Sequence, residues 1–490
     1  MKMGIARRFA KNALLQIGVN ITTKLVALVL AVYLTFILDP ENFGMYSWII
    51  AIALMLDMFA NFGTGNAISK FAAPAAMENR QKTFAAYFKY LFKIRLIALA
   101  IIVILVMLFA EFIATFVFSK PFLAFPLRLS ALFLIAYSIS GYLQAAFVTM
   151  QRMEFVFGAM LAQAILKLAL VISLALLTKS FIGGIAGYIA AIAVAAFVLL
   201  FIIARKYGFL LKLNGAVDKK ALFPYLGFAV SADFIFILLA SMDVLMVSAL
   251  LPIENVGFYS IAMSWSSAIA GMIPVYMLFP VFSELAAKPL AHLREAFRHF
   301  FKYALFLMVP VAFLLAYFSD FLVKFLYRGA YAAAASQVLF VLSFLIMFSA
   351  LMVFLMLLYN AIGRPDVPTK IYGAVLVYDI IANYVLITTF GLIGAAYATL
   401  SSYILLCAAF LLLLKPIAKI QFSASAIIKP LLASGVVFFA LLQFPKPANL
   451  AIAIAYFAFA GIAYFIIQLA IKGISTSELK YLKSRILKQG

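Results

Sequence analysis

Apolar stretches of about 20 residues or more follow one another along almost the whole chain, separated by short polar breaks. Within hydrocarbon, every backbone N–H and C=O of such a stretch must be satisfied by the protein itself, which leaves only helices or a closed barrel. The runs are too long and too uniformly apolar for the two-residue alternation of a barrel strand. Cutting at the breaks gives fourteen spans. Their limits are near 12–38, 45–68, 96–118, 122–149, 155–178, 181–204, 222–250, 256–282, 303–327, 332–360, 370–390, 392–414, 428–444 and 448–471. Composition agrees: 68% of residues are hydrophobic and 11% charged, an excess no water-soluble core absorbs. The first run, after Lys2, Arg7, Arg8 and Lys11, is too long for a cleaved signal segment and is expected to remain as a span.

The runs are organised by a repeat. Glu41-Asn42-Phe43-Gly44-Met45-Tyr46-Ser47 returns 213 residues later as Glu254-Asn255-Val256-Gly257-Phe258-Tyr259-Ser260, each copy between two apolar runs. Gln151-Arg152 is answered by Gly363-Arg364 at an offset of 212, and Gly184-Ile185-Ala186-Gly187 by Gly391-Leu392-Ile393-Gly394 at 207. The order is kept, so one unit is present twice. The glycine pairs are expected to let helices pack closely rather than to bind phosphate. The fold expected is an all-α integral membrane protein of about 14 transmembrane helices. Residues 1–204 would form an N-terminal six-helix lobe, 205–221 a cytoplasmic linker and 222–414 a C-terminal six-helix lobe. Residues 415–490 would form a helix pair and a basic tail.

Orientation follows from Lys and Arg. Starting from a cytoplasmic N-terminus, 30 of the 38 basic residues fall in inner segments, including six from Lys70 to Arg95, and six fall outside. That asymmetry places both termini in the cytoplasm, and the even six-span repeat makes the halves parallel. The net charge of +22 therefore reflects inner loops and not a nucleic-acid surface. The segment Leu285 to Tyr303, with Leu293, Phe297, Phe300 and Phe301 among Arg294, Arg298 and Lys302, reads as an amphipathic helix on the inner surface.

Ionisable residues inside spans mark pathways or internal pairs. Lys24 and Lys167 lie at the middle of spans one and five, and Asp57 is near the middle of span two. Asp233 and Asp243 in span seven and Asp379 in span eleven belong to the second half, with Asn383 one turn after Asp379. Two central lysines in one lobe fit an anionic group; the other reading is internal pairing, for instance Lys24 with Asp57. Glu111 and Arg128 lie nearer the outer face, where long side chains reach water. His292 and His299 lack further ligands for a metal, Cys407 is a buried bystander, and no P-loop occurs, so neither cofactor nor metal is expected.

Leu38-Asp39-Pro40-Glu41-Asn42-Phe43-Gly44-Met45-Tyr46 resembles the L-G-P-E-x-Y/F-G-x-Y segment after the first span of the polysaccharide flippases of the MOP superfamily. Asn61-Phe62-Gly63, Gly363-Arg364 and Ile381-Ala382-Asn383-Tyr384-Val385-Leu386-Ile387 resemble further marks of that family, with Asn61 where it often has Asp and Lys70 where it usually has Arg. The resemblance covers essentially the whole chain. It implies a flippase, not an enzyme, that exports a polyprenyl-(pyro)phosphate-linked oligosaccharide from the inner to the outer leaflet of the cell membrane by alternating access. Lys24, Lys167, Arg128 and Asn383 are the substrate-binding candidates, and Asp57, Asp233, Asp243 and Asp379 those for coupling to H+ or Na+. Membrane lipids are its other partners, and a monomer is expected. A multidrug or cation:ion antiporter of the same superfamily is the nearest rival, favoured by the second-half aspartates and opposed by the lysines and the last two spans. An integral-membrane glycosyl- or acyltransferase would need a catalytic loop that the short outer breaks do not supply.

Overall fold

The computed structural model of the chain describes residues 2–271, 290–362, 364, 366–418 and 424–473, and every regular element among them is helical. In chain order the first eight long helices are α1 (Lys2–Ile37), α2 (Pro40–Asn61), α3 (Gln81–Phe112), α4 (Ala124–Thr149), α5 (Met153–Thr178), α6 (Phe181–Lys206), α7 (Lys219–Leu250) and α8 (Glu254–Gly271). Then come α9 (Leu290–Leu326), α10 (Ala330–Leu342), α11 (Leu345–Ala361), α12 (Asp366–Phe390), α13 (Leu392–Ala418), α14 (Ala424–Leu441) and α15 (Leu450–Ala470). Among the described residues eleven helices are long and apolar enough to cross a membrane, or twelve when the bent pair α10 and α11 is one broken span. The expected span 222–250 falls within α7, whose apolar stretch is Phe234–Leu250. The expected span 256–282 contains α8, whose continuation beyond Gly271 lies outside the described residues.

Three local expectations change. The polar break holding the first repeat copy is the opening of a helix, because Asp39 caps α2 by accepting from the Asn42 N–H at 2.8 Å while Pro40 occupies the first turn. The loop expected between spans two and three is mostly helical: short turns at Thr64–Ala67, Ile68–Ala72 and Ala73–Met77 lead into α3, which begins 15 residues before the expected limit of 96. Arg95, counted above with the inner loop, is thereby inside the third span and buried. Finally, the expected surface helix is the amphipathic opening of α9, which runs without a break into its span; residues 285–289 lie outside the described residues.

Packing divides the chain into two compact units, residues 1–264 with 372–395 and residues 265–371 with 396–490. In the first, Phe84, Phe88, Leu91, Tyr142 and Phe147 form the centre of a buried cluster contributed mainly by α3 and α4. α6 lies directly on α5, since a Cβ on Gly187 would come within 2.6 Å of the Leu170 carbonyl carbon and one on Gly183 would strike the Leu174 carbonyl. In the second unit Tyr359 of α11 donates to the Phe410 carbonyl of α13 at 2.8 Å. There α9 also packs with α14 and α15, where Tyr464 donates to the Phe306 carbonyl at 2.7 Å.

Candidate functional site

Asp57, Arg95, Lys167, Asp243 and Asp379 each sit where two or three helices of the first unit converge. On α2, Asp57 is met by Arg95 of α3, with Nη2 3.3 Å from Oδ1. The same guanidinium donates from Nε to Ser138 of α4 at 2.9 Å and from Nη1 to the Asn61 side chain at 2.7 Å. Asn61 is held for this by the end of its helix. Phe62 and Gly63 turn into the left-handed region, at φ 46° and 66°, and fold the chain back so that Asn61 Oδ1 also accepts from the Gly65 N–H at 3.1 Å. The Asn61-Phe62-Gly63 mark is thus a helix break that aims one amide at a buried arginine.

Lys24 on α1 is half-buried. Lys167 on α5 is only 8% exposed, and its ammonium lies 3.6 Å from the centroid of the Tyr188 ring on α6. Tyr188 is in turn braced edge-on by Phe133 at 4.9 Å. Among the described residues no carboxylate or other acceptor is paired with that ammonium. A cation–π contact contributes up to about 2 kcal/mol when desolvated. A charge withdrawn from water costs at least several kcal/mol, so the ring alone does not compensate Lys167.

The second cluster joins α7, α8 and α12. Asp243 accepts from the Tyr259 hydroxyl at 2.9 Å through Oδ2 and from Asn383 Nδ2 at 3.3 Å through Oδ1. The same Nδ2 lies 3.2 Å from Asp379 Oδ2, one turn earlier on α12. One amide nitrogen therefore bridges two buried carboxylates, while Asn383 Oδ1 has no hydrogen-bond partner among the described residues. Tyr259 is the tyrosine of the second repeat copy, so the motif that revealed the duplication also holds the carboxylate. At the offset of 212 that relates Arg152 to Arg364, Lys167 corresponds to Asp379, a cation against a carboxylate.

The remaining candidates stand apart. Arg128 is half-buried and paired with the exposed Glu111 at 2.8 Å. The side chains of Asp233 and His292, and Gly363, lie outside the described residues. His299 is exposed, 3.9 Å from Glu295. Lys120, in the break before α4, donates to the carbonyls of Ser248, at 2.7 Å, and Leu251 at the end of α7. Burial pulls its ammonium below the ordinary lysine range, and the Glu254 carboxylate partly offsets that. Sequence reasoning missed Arg95, Ser138, Tyr188 and Tyr259; the motifs around Asn61 and Tyr259 held a trace of two of these contacts.

The profile of a family described as polysaccharide biosynthesis protein matches residues 9–286. An uncharacterized membrane protein of Methanocaldococcus jannaschii is 35% identical over 131 residues, a match spanning 26% of either chain. The fold resembles that of the lipid II flippase MurJ in an inward closed conformation, at a TM-score of 0.70 and 18% identity, covering 93% of this chain and 98% of that one. It also resembles a multidrug resistance MATE family transporter of the MOP superfamily in an inward-facing conformation, at 0.66 and 12% identity, covering 88% and 99%.

Proposed function

Because the chain belongs to the polysaccharide biosynthesis protein family, we propose that it is a flippase that carries a polyprenyl-(pyro)phosphate-linked oligosaccharide from the inner to the outer leaflet by alternating access. The observation that carries this reading is Lys167, a buried cation without an anion among the described residues. A pyrophosphate cannot cross hydrocarbon unaided, and Lys167 together with the half-buried Lys24 offers the opposite charge in a low-dielectric surrounding. Arg128 adds donors for the sugar. Asn383, expected among the substrate ligands, donates to the carboxylates of Asp243 and Asp379. Two carboxylates bridged by one amide repel each other when both are ionised, so a proton or a sodium ion taken up there relieves the repulsion and couples transport to a gradient. The membrane is the cell membrane, with both termini on the cytoplasmic face as the basic residues indicate.

The same carboxylates favour a second reading, exchange of a cationic compound for an ion, as in the MATE transporters whose fold is similar. Reconstitution in liposomes separates the two. With lipid-linked oligosaccharides in the inner leaflet and an imposed proton or sodium gradient, the native protein should move the sugar outward, and K24A/K167A, still inserted, should not. Full flipping by the double variant would remove the anion role of the lysines. Efflux of organic cations without sugar movement would establish the second reading.

A further inference from the structure

The start of α7 is fastened to α3 and to the turns that precede it. Residues 213–218, just before α7, lie against the opening of α3. There Lys89 donates to the Asn214 side chain at 2.5 Å and the Asp218 N–H donates to the Tyr87 hydroxyl at 3.3 Å. A Cβ on Gly215 would lie 2.7 Å from the Lys82 carbonyl oxygen. In the first two turns of α7, Leu222 and Leu226 are buried in the same cluster as Phe84 and Phe88. Lys70 holds its ammonium 4.0 Å from the centroid of the Tyr225 ring, and Phe71 meets that ring edge-on at 5.4 Å. The helix is weakest at the end of this anchor. Pro224 has no N–H to give the Lys220 carbonyl. Gly227, a poor helix former, is not required by packing, since a Cβ there meets nothing within 4 Å.

The far end of α7 is held by a charge. The half-buried Lys120, in the break before α4, donates to the Ser248 carbonyl at 2.7 Å and to the Leu251 carbonyl. Carbonyls at a helix end lack helical partners and lie at the negative end of its dipole. Four residues after Ser248 comes Pro252, which has no N–H, so the bond from Lys120 takes the place of a helical one. The close approach of Gly44 to the Ile253 carbonyl lies beside it and adds packing but no charge. We propose that α7 is a strap, hinged at Pro224 to Gly227 and buckled at its far end by Lys120, and that release of this buckle opens the first unit on that side. The chemistry of the two ends decides which one moves. Parting the anchor would expose Leu222 and Leu226 to water, whereas at the buckle water can take over both the ammonium and the carbonyls. By the count of basic residues the buckled end is the outer one. The inference rests on alternating access, which both readings of the function share, and not on which compound is carried.

The test uses the full-length protein with Cys407→Ala, in nanodiscs without substrate, carrying pairs of spin labels whose separation is read by double electron–electron resonance. Labels at Phe122 and Leu250, both exposed, report on the buckled end, and labels at Met77 and Phe223, also exposed, on the anchored end. K120M should add a longer distance to the first pair, raising the ratio of open to closed chains about tenfold, the worth of one hydrogen bond to a charged group. K120R keeps the charge and the donors and should stay near the native distribution. The second pair should keep one distance in all variants. G227A, added to K120M, should lower the open population about fivefold by stiffening the hinge. K120Q serves if K120M folds poorly. A Phe122 to Leu250 distribution unchanged in both K120M and K120Q would overturn the buckle. Equal widening of the two pairs would show general loosening and would overturn it too, and an opening indifferent to G227A would remove the hinge. Failure of a lipid-linked sugar to move in liposomes bears on the function and leaves these distances unaffected.

Discussion

Arg95 touches Asp57, Asn61 and Ser138 at once, so a single planar group fixes the relative positions of α2, α3 and α4. Its donors form a rigid fork that a lysine cannot imitate. Removing it leaves the half-buried Asp57 without its counter-charge, which costs up to about 3–5 kcal/mol, the figure for a fully buried pair. Arg95→Ala should therefore lower the unfolding free energy in micelles by that order, and Arg95→Lys by an intermediate amount; an unchanged denaturation midpoint in Arg95→Ala would contradict the role assigned to the pair. Lys167 is a different case. Its charge was legible as an anomaly in an apolar run, but its neighbour Tyr188 was not, because 21 residues of sequence separate them and only the packing of α5 on α6 brings them together. Asp243 and Asn383 are 140 residues apart and meet for the same kind of reason.

At the scale of elements, the two copies of the repeat are neighbours as well as equivalents. A Cβ on Gly44 would run into the Ile253 carbonyl, and one on Gly257 would lie 2.8 Å from the Phe43 ring and 3.2 Å from the Gly44 nitrogen. The glycine of each copy is what lets the openings of α2 and α8 approach. Asn42 of the first copy also accepts from the Phe181 N–H at 3.1 Å, capping α6, and Lys120 closes the end of α7 nearby. Gly44→Ala should cost about 1–3 kcal/mol, because backbone has to move to admit the methyl group. Gly435→Ala in α14, where a Cβ meets nothing within 4 Å, should be neutral or stabilising by up to about 1 kcal/mol. Thermal unfolding of the two variants side by side checks the pair of outcomes, and equal stability would dismiss the close contact. The pattern E-N-x-G-x-Y-S made the duplication legible; it contained nothing to say that the copies touch, since contact between distant helix ends depends on tilt and on glycine spacing in three dimensions.

For the molecule as a whole, the topology can be probed with little background, because the chain has one cysteine and Cys407 is buried. Pro252→Cys, in the exposed break between α7 and α8, should react with a membrane-impermeant maleimide added to the outside of intact cells. Labelling only after the inner face is opened would invert the orientation. The sequence by itself determined the helical membrane class and most span limits, and it supplied the repeat and the charge asymmetry from which a doubled unit and an orientation are expected. Each of these rests on a local quantity: the length of an apolar run against the thickness of hydrocarbon, or the count of cations in a loop. The tertiary structure decided that the third helix reaches back to bury Arg95, that Lys167 rests on a tyrosine ring, and that two carboxylates share one amide. Those depend on how each helix is rotated about its axis, which is set by side chains of other helices far away in the chain and not by the run that forms the helix.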